Sequence, residues 1–274
     1  MKNTKRLAIG IINFNRADIL EQLLESIKES DLSDVDLIVA DDGSSDSSID
    51  ICKKLGVNYI TGVNSGIAWN KNRALYYLLN MSTSNNILLI ENDCLIVDDQ
   101  WIETWASAIE LWGHINCLHP STYQELLQNN SSKDIISGSG SVYNPYLSMK
   151  ISGICIGSRR DALNQVGYLD TRFKGYGHEH SEWTLRFRRI GMGFKTSYFN
   201  DQTIKANIMI SGGITAKDII SSSDKSNKEA NRKVMDECKA DTTYRHPWRD
   251  DSERLKLLNE FENAVARARG HATI

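Results

Sequence analysis

Residues Glu91-Asn92-Asp93 close an apolar run, Ile87 to Ile90, and set two carboxylates two positions apart where a strand should end. Such a pair either caps a turn or offers oxygen ligands to a hard divalent cation, leaving its other sites to phosphate oxygens and water. A cation held there would neutralise charge on a diphosphate leaving group. A second polar group, His178, Glu179, His180 and Glu182, stands at the entry of a helical stretch after the glycine-rich turn Gly175-Tyr176-Gly177. Acids at a helix start are favoured by its dipole. Two histidines around an acid also suit general-base or metal-ligand duty. Their i, i+2 spacing is not that of HExxH, so the pair does not stack on one helical face. A third group is Asp41-Asp42-Gly43-Ser44-Ser45. A carboxylate there can accept from a ligand ring N–H, or it makes an Asx-turn while Ser44 or Ser45 caps the next helix. The fourth runs from Asn64 through Gly66 to Lys71 and Arg73. A helix N-terminus with nearby basic side chains suits a diphosphate; the plain alternative is a solvated basic face with Gly66 easing a turn. Neither GxxxxGK[ST] nor GxGxxG occurs, so the P-loop and Rossmann dinucleotide patterns are absent.

These groups need a scaffold that brings them together, and the periodicity supplies one. Residues 6–13, 35–42, 57–63 and 85–93 read as buried strands, and 17–30, 44–56 and 66–81 read as helices between them. Strand–helix alternation predicts a mostly parallel sheet with helices on both faces, and ligands then bind at the carboxyl ends of the strands. The ends at 11–15, 39–43, 61–66 and 90–94 should converge on one crevice, where the group at 178–182 should meet them. Further along, 101–113 predicts an amphipathic helix, 120–148 a polar surface loop, 149–167 a strand and helix, and 181–191 a helix stopped by Gly191. Residues 210–230 carry a glycine pair and a serine run, as either a mobile lid or a plain surface loop would. Residues 251–270 predict an amphipathic helix with a basic end.

Composition bounds the rest. The 274 residues suffice for one large α/β domain with an extension. A net charge of −3 gives no global field for nucleic acid. Five scattered cysteines with no CxxC argue against a zinc cage or disulfide framework and fit a reducing cytoplasm. No apolar run reaches the ~20 residues of a membrane span, and the start of the chain reads as a strand rather than a signal peptide. Arg267 and Arg269 would add at most ~1 kcal/mol each at an anionic lipid surface, so membrane contact is peripheral at most. Trp69, Trp101, Trp105, Trp112 and Trp183 could stack on sugar rings, but core packing explains most of them better.

Taken in order, residues 11–27, 35–48, 64–75, 85–94 and 166–194 resemble the family 2 glycosyltransferases of the GT-A fold, over roughly residues 6–215. The resemblance implies a nucleotide-sugar donor, often a UDP-sugar, a divalent metal such as Mn2+ or Mg2+, and a domain at 1–215. Its nucleotide-sugar half would be about 1–100 and its acceptor half about 101–215, with 216–274 as a lid and helical C-terminal extension. By the same resemblance Phe14 lies near the nucleobase, with Asn15 and Arg16 beside it, and Asp41 accepts from the uracil N–H, with Asp42 adjacent. Asn64, Gly66, Lys71 and Arg73 lie near the ribose or diphosphate. Glu91 and Asn92 occupy the first two positions of the family's DxD motif and Asp93 the last, the metal ligand. Gly153 matches the small residue near the donor sugar. The chain departs from the family twice. The Glu-Asp pair whose Asp carries the catalytic base reads Glu179-His180 here, leaving Glu179, His180 and Glu182 as candidate bases. The downstream metal-ligand histidine is missing, with Asn207 near its place, so His178, His180 or His246 could substitute. The implied reaction is an inverting transfer to a hydroxyl of a glycan, a lipid-linked oligosaccharide or a protein. A sugar-binding protein without turnover is the alternative. A sugar-nucleotide pyrophosphorylase would want a GxGxRL-type start, which is absent.

Overall fold

The computed structural model describes residues 4–175, 177–216, 227–239 and 244–271. The strand–helix alternation builds β1 (Leu7–Asn13), α1 (Ala17–Lys28), β2 (Val35–Asp41), α2 (Ser48–Lys54), β3 (Tyr59–Thr61), α3 (Ile67–Met81) and β4 (Asn86–Glu91). A short β5 (Cys94–Ile96), α4 (Trp101–Trp112), β6 (His114–Cys117) and α5 (Pro120–Asn129) follow. Then come β7 (Ile135–Ser137), β8 (Tyr146–Ser148), β9 (Cys155–Arg159), α6 (Arg160–Val166) and α7 (Glu179–Arg189). The chain continues through β10 (Phe194–Phe199), β11 (Gln202–Ile210), β12 (Ile214–Ala216), α8 (Lys228–Cys238) and α9 (Asp251–His271).

The main sheet has the order β3-β2-β1-β4-β9-β6-β11-β8-β7, with β10 on β11. Strands β9, β8 and β10 run against the others, so the sheet is mostly parallel. Strand period divides the core in two. Leu7, Ile9 and Ile11 of β1 pack with Leu20, Leu23 and Leu24 of α1 and with Trp101 and Trp105 of α4. Ala8 and Ile12 face Leu75 and Leu78 of α3, with Trp183 and Phe187 of α7 beyond. This is the alternation a central strand buried on both faces requires. Gly10 stands where α3 presses closest: a Cβ there would lie 2.8 Å from that of Ala74.

Two regions differ from the sequence-based expectation. Residues 120–148 are not simply a loop. His119 caps α5 with Pro120 in its first turn, and β7 and β8 extend the sheet edge. Three-residue strands are too short for alternation to be legible, and their serines read as loop. Within 210–230, Ile214–Ala216 is not a loop but the strand β12, paired with β5. Helix α8 begins at Lys228, and residues 217–226 lie outside the described residues. The five cysteines are free and buried, as are Trp69, Trp101, Trp105 and Trp183 in packing positions.

Helix α9 is tied into the first half of the chain. Glu260 accepts from Arg73 Nε at 2.8 Å, Arg73 Nη2 at 3.0 Å and Trp69 Nε1 at 3.3 Å. It lies so close over Gly62 that any Cβ there would collide with its carboxylate. Arg73 is fully buried and also donates to Asp42 at 2.6 Å. Removing one partner of such a pair leaves a buried charge undercompensated. Glu260→Ala is therefore expected to lose about 3–5 kcal/mol in urea unfolding. Leu255→Ala on the same helix, 68% exposed, should change it by about 0.5 kcal/mol or less.

Candidate functional site

The carboxyl ends of β2, β1 and β4 are adjacent, and their register sets Asn13 beside Asp41 and Ile12 beside Glu91. Buried amides stitch these ends. Asn13 Nδ2 donates to Asp41 at 2.8 Å, Asn92 Nδ2 donates to Asn13 Oδ1 at 2.6 Å, and Asn70 Nδ2 donates to the carbonyls of Asn13 and Ala40. Asp41 also accepts from the N–H groups of Gly43 and Ser44 and from the hydroxyls of Ser44 and Thr61. Five donors use up its acceptor capacity, so its contacts are those of a turn-holding residue. Asp42 likewise accepts from Ser65 N, Gly66 N and Arg73. The result is a rigid edge on which a few side chains are left to face outward: Phe14, 42% exposed, and the partly exposed Arg16 and Asp93.

Lys71, fully buried on α3, is the hub. Its Nζ donates to Glu91 Oε1 at 2.8 Å and to Gly153 O at 3.1 Å, and lies 3.8 Å from Glu179 Oε1. Burial opposes its charge, but the carboxylates of Glu91 and Glu179 prevail and hold its pKa above the ordinary value. Gly153 reaches this place because β9 runs antiparallel to β4. A side chain there would strike the His180 ring, whose Cγ and Nδ1 lie 2.7 Å from the position of a Cβ.

At the start of α7, His180 Nδ1 lies 3.0 Å from Glu179 Oε1, while Glu179 Oε2 accepts from Gly177 N at 3.1 Å. Burial would raise the Glu179 pKa, but the neighbouring His180 and Lys71 outweigh it and bring the pKa down to about 2. An ionised carboxylate only accepts, so the neutral His180 ring, when it faces Glu179, carries its proton on Nδ1 and leaves Nε2 as the acceptor. That is the orientation of an imidazole base held by a carboxylate. The pKa shift fixes a stability effect. The folded pKa of Glu179 lies below the ordinary value of 4.5, so its contribution is complete above about pH 4.5 and lost as pH falls toward 2. Glu179→Gln is expected to be about 3 kcal/mol less stable than the wild type at pH 7. The difference should close by about pH 2, as thermal unfolding across the pH range would read.

Asp93 is the strained carboxylate of the group. Burial and then the charge of Glu91 push it up to about 6, against the partial relief of Arg16 and Lys71. Arg16 Nη1 lies 3.5 Å from Oδ2, while Oδ1 is buried without a hydrogen-bond partner among the described residues. A buried acceptor left open in this way fits a cation ligand. Among the described residues no three His, Cys, Asp or Glu side chains converge into a cage. Asp93, His178 and His180 are thus not gathered as a ready-made ligand set. A site with one carboxylate and substrate oxygens, the usual arrangement for Mg2+ with phosphates, suits the residues present.

The structure brings Lys71, Glu91, Asp93, Gly153, Glu179 and His180 together, with Arg16 at the rim and Asn92 buried beneath. It does not bring in two others expected there. Arg73 is turned into the core by Asp42 and Glu260. Glu182 is buried against Arg186 and Arg245. His178, in the left-handed region at φ 73°, has a pKa lowered by burial and by the charges of His180, Lys228 and Arg232, toward α8. Asn64 is exposed, and Asn15 accepts from Ser45 N at 2.7 Å. Asn13 and Asn70 escaped the sequence reading, as did His119, which is near enough to His180 for their charges to interact. An asparagine ending a strand was the signal available for Asn13.

Residues 8–167 match the family described as Glycosyl transferase family 2. A curated relative from Campylobacter jejuni subsp. jejuni, the GalNAc(5)-diNAcBac-PP-undecaprenol beta-1,3-glucosyltransferase, is 25% identical over 192 residues. That match covers 67% of this chain, which spans about 60% of the relative's length. A mannosyltransferase from Pyrobaculum calidifontis, solved with GDP-Man and Mn2+, superposes with a TM-score of 0.52 at 15% identity over 98% of this chain and 76% of that one. GalNAc-T7, solved with UDP, GalNAc and Mn2+, superposes with a TM-score of 0.54 at 12% identity over 79% of this chain and 44% of that one. At such identities the likeness establishes the fold, that of GT-A glycosyltransferases. Among the described residues no helix is long and apolar enough to cross a membrane.

Proposed function

The chain belongs to glycosyl transferase family 2, and from that premise we propose that it transfers a sugar from a nucleotide-sugar donor to a hydroxyl of a glycan acceptor, with His180 as the base. The observation that carries this reading is the Glu179–His180 pair, with His180 Nδ1 fixed by the carboxylate at 3.0 Å, joined through Lys71 to the carboxylates at the end of β4. Nε2 takes the proton of the attacking hydroxyl, and Glu179 stabilises the imidazolium that forms. Attack from the face opposite the nucleotide would invert the anomeric carbon. Phe14 offers an exposed ring to the nucleobase, Arg16 offers a cation near the diphosphate, and Lys71 holds Glu91 and the Gly153 backbone in place. Asp93 would hold a divalent cation, Mn2+ or Mg2+, which when bound supplies charge neutralisation to the leaving diphosphate.

UDP is the nucleotide the family resemblance favours. The Campylobacter relative is named for a glycan on PP-undecaprenol, which supports a lipid-linked glycan acceptor and peripheral contact with a membrane. A second reading, a sugar-binding protein without turnover, has one observation in its favour: histidine stands at 180 where the family pattern has Asp. A thermal-shift screen of nucleotide sugars with and without manganese, followed by transfer and donor-hydrolysis assays, separates them. One donor should stabilise the protein in a manganese-dependent way, by about 2.7 kcal/mol at a hundred times its Kd. A shift without turnover favours the second reading, and no shift with any donor removes the transfer reading.

A further inference from the structure

The edge that carries Asp41 and Glu91 continues past the donor site. Strand β9 is antiparallel to both β4 and β6, and β11 is parallel to β6. Leu118 and Ser211, just beyond β6 and β11, therefore lie on the same edge of the sheet. They open a groove of about 590 Å³ between α5 and the β7–β8 hairpin, lined further by Tyr123, Leu126, Asn130 and Tyr146. The geometry points to this groove as a subsite for an uncharged sugar residue of a glycan acceptor, a few units from the one that reacts; this rests on the transferase reading above.

Three observations carry it. The first is chemical. A pyranose presents apolar C–H faces and hydroxyl edges. The groove answers with two tyrosine rings, leucine side chains and the hydroxyl and amide groups of serines and Asn130, and among the described residues no charged side chain lines it. A cleft of equal volume at the opposite edge of the sheet shows the contrast. Lys5, Arg6, Glu103, Glu110, Arg159 and Asp161 line it, several already ion-paired. Neutral polar lining with aromatic faces selects against carboxylated or phosphorylated ligands, because a charge there would be desolvated without a partner. The volume falls within the roughly 300–1,000 Å³ of small-ligand sites.

The second observation is continuity. Leu118 lines the groove, and the next residue, His119, lies within electrostatic reach of His180. Ser211, on the other wall, leads into β12, which pairs with β5 directly after Asp93. A chain of sugars reacting at His180 would pass His119 and enter the groove.

The third is preorganisation. Gly140 has φ +81° and packs so tightly that a Cβ would stand 2.3 Å from the Tyr146 ring. The N–H groups of Ser139 and Gly140 both donate to Asn144 O at 3.0 Å, which holds the loop folded back on that ring. A fixed ring loses little freedom when a sugar stacks on it.

Saturation-transfer NMR with cellotetraose, chitotetraose and maltotetraose as neutral probes, and tetragalacturonate as the charged one, tests the subsite. At least one neutral tetrasaccharide should bind the wild type. Tyr146→Ala should weaken it at least fivefold, and so should Leu127→Asp, a change at an exposed side chain that also lines the groove and spares the fold. Tetragalacturonate should give no signal, and the donor-induced thermal shift should persist in both variants. Absence of binding by every neutral probe, equal binding of tetragalacturonate, or unchanged binding by both variants would overturn the subsite. Donor stabilisation without tetrasaccharide binding removes the subsite alone. Tetrasaccharide binding that depends on Tyr146, with no donor stabilising the wild type, keeps the subsite and removes the transfer reading.

Discussion

Asp93→Asn is expected to cut sugar transfer about a thousandfold, the scale seen when one electrostatic contact to a developing charge is removed. By the usual conversion that is about 4 kcal/mol of the barrier. The substitution keeps the shape of the side chain and the hydrogen-bonding reach toward Arg16, but it removes the charge that holds a cation. The manganese-dependent part of the donor's thermal shift should vanish with it. The protein itself should not suffer. The pKa of Asp93 is raised to about 6 by burial and Glu91. A raised carboxylate contributes its stability in the protonated form, fully below its ordinary value, and that contribution is lost as pH rises through about 6. At pH 7.5 without metal, Asp93→Asn should thus unfold at the same temperature as the wild type or higher. A variant that loses transfer and melts early would mean that Asp93 is structural. A variant that keeps transfer would dismiss it as the cation ligand.

How this residue was legible, and others were not, follows from the distance over which each one's partners lie. Glu91 and Asp93 sit at the end of an apolar run, and a strand end in an alternating α/β chain faces the crevice whatever follows. Lys71, in the first turns of α3, reaches the same strand end through Glu91. Arg73, two residues along the same helix, does not. Its direction is decided by Glu260, 187 positions away, and no local pattern announces that pairing. The type of residue at Glu179 and His180 was readable, and so was the departure from the family's acidic pair. Which of three candidates faces the crevice was not, because Glu182 is claimed by Arg186 and Arg245 only once α7 is packed. The stretch from 120 to 148 stayed dark for another reason: β7 and β8 span three residues each, over which period gives no signal, and α5 is a polar helix that buries only Thr122.

His180→Ala should lower turnover by about 10²- to 10⁴-fold, the range for a positioned general base. Donor binding and its manganese dependence should stay intact, because His180 touches Glu179 and Gly153 rather than the carboxylates at the end of β4. Glu179→Gln should have a smaller effect on rate, about ten- to a hundredfold, as expected for a residue that orients the acting one. Replacing His180 with Asp would restore a carboxylate but set it against ionised Glu179, and two like charges at that separation do not both ionise readily. His180→Asp is therefore expected to recover only part of the activity, with its optimum moved upward in pH, as steady-state rates across pH would read. Unchanged turnover in His180→Ala would return the choice of base to Glu179.

The hold of α9 on Arg73 has a consequence for how the chain comes to be folded. Residues of the first hundred positions assemble the β1–β4 half of the sheet, but Arg73 meets its second carboxylate only after Glu260 has been made. During synthesis on the ribosome, that half must wait with an undercompensated cation at its centre while well over a hundred further residues emerge. Contacts of such sequence separation slow folding and lengthen the exposure of unfinished surfaces. Truncations that stop before α9, although they retain every residue proposed for chemistry, should yield aggregating protein rather than a small active enzyme.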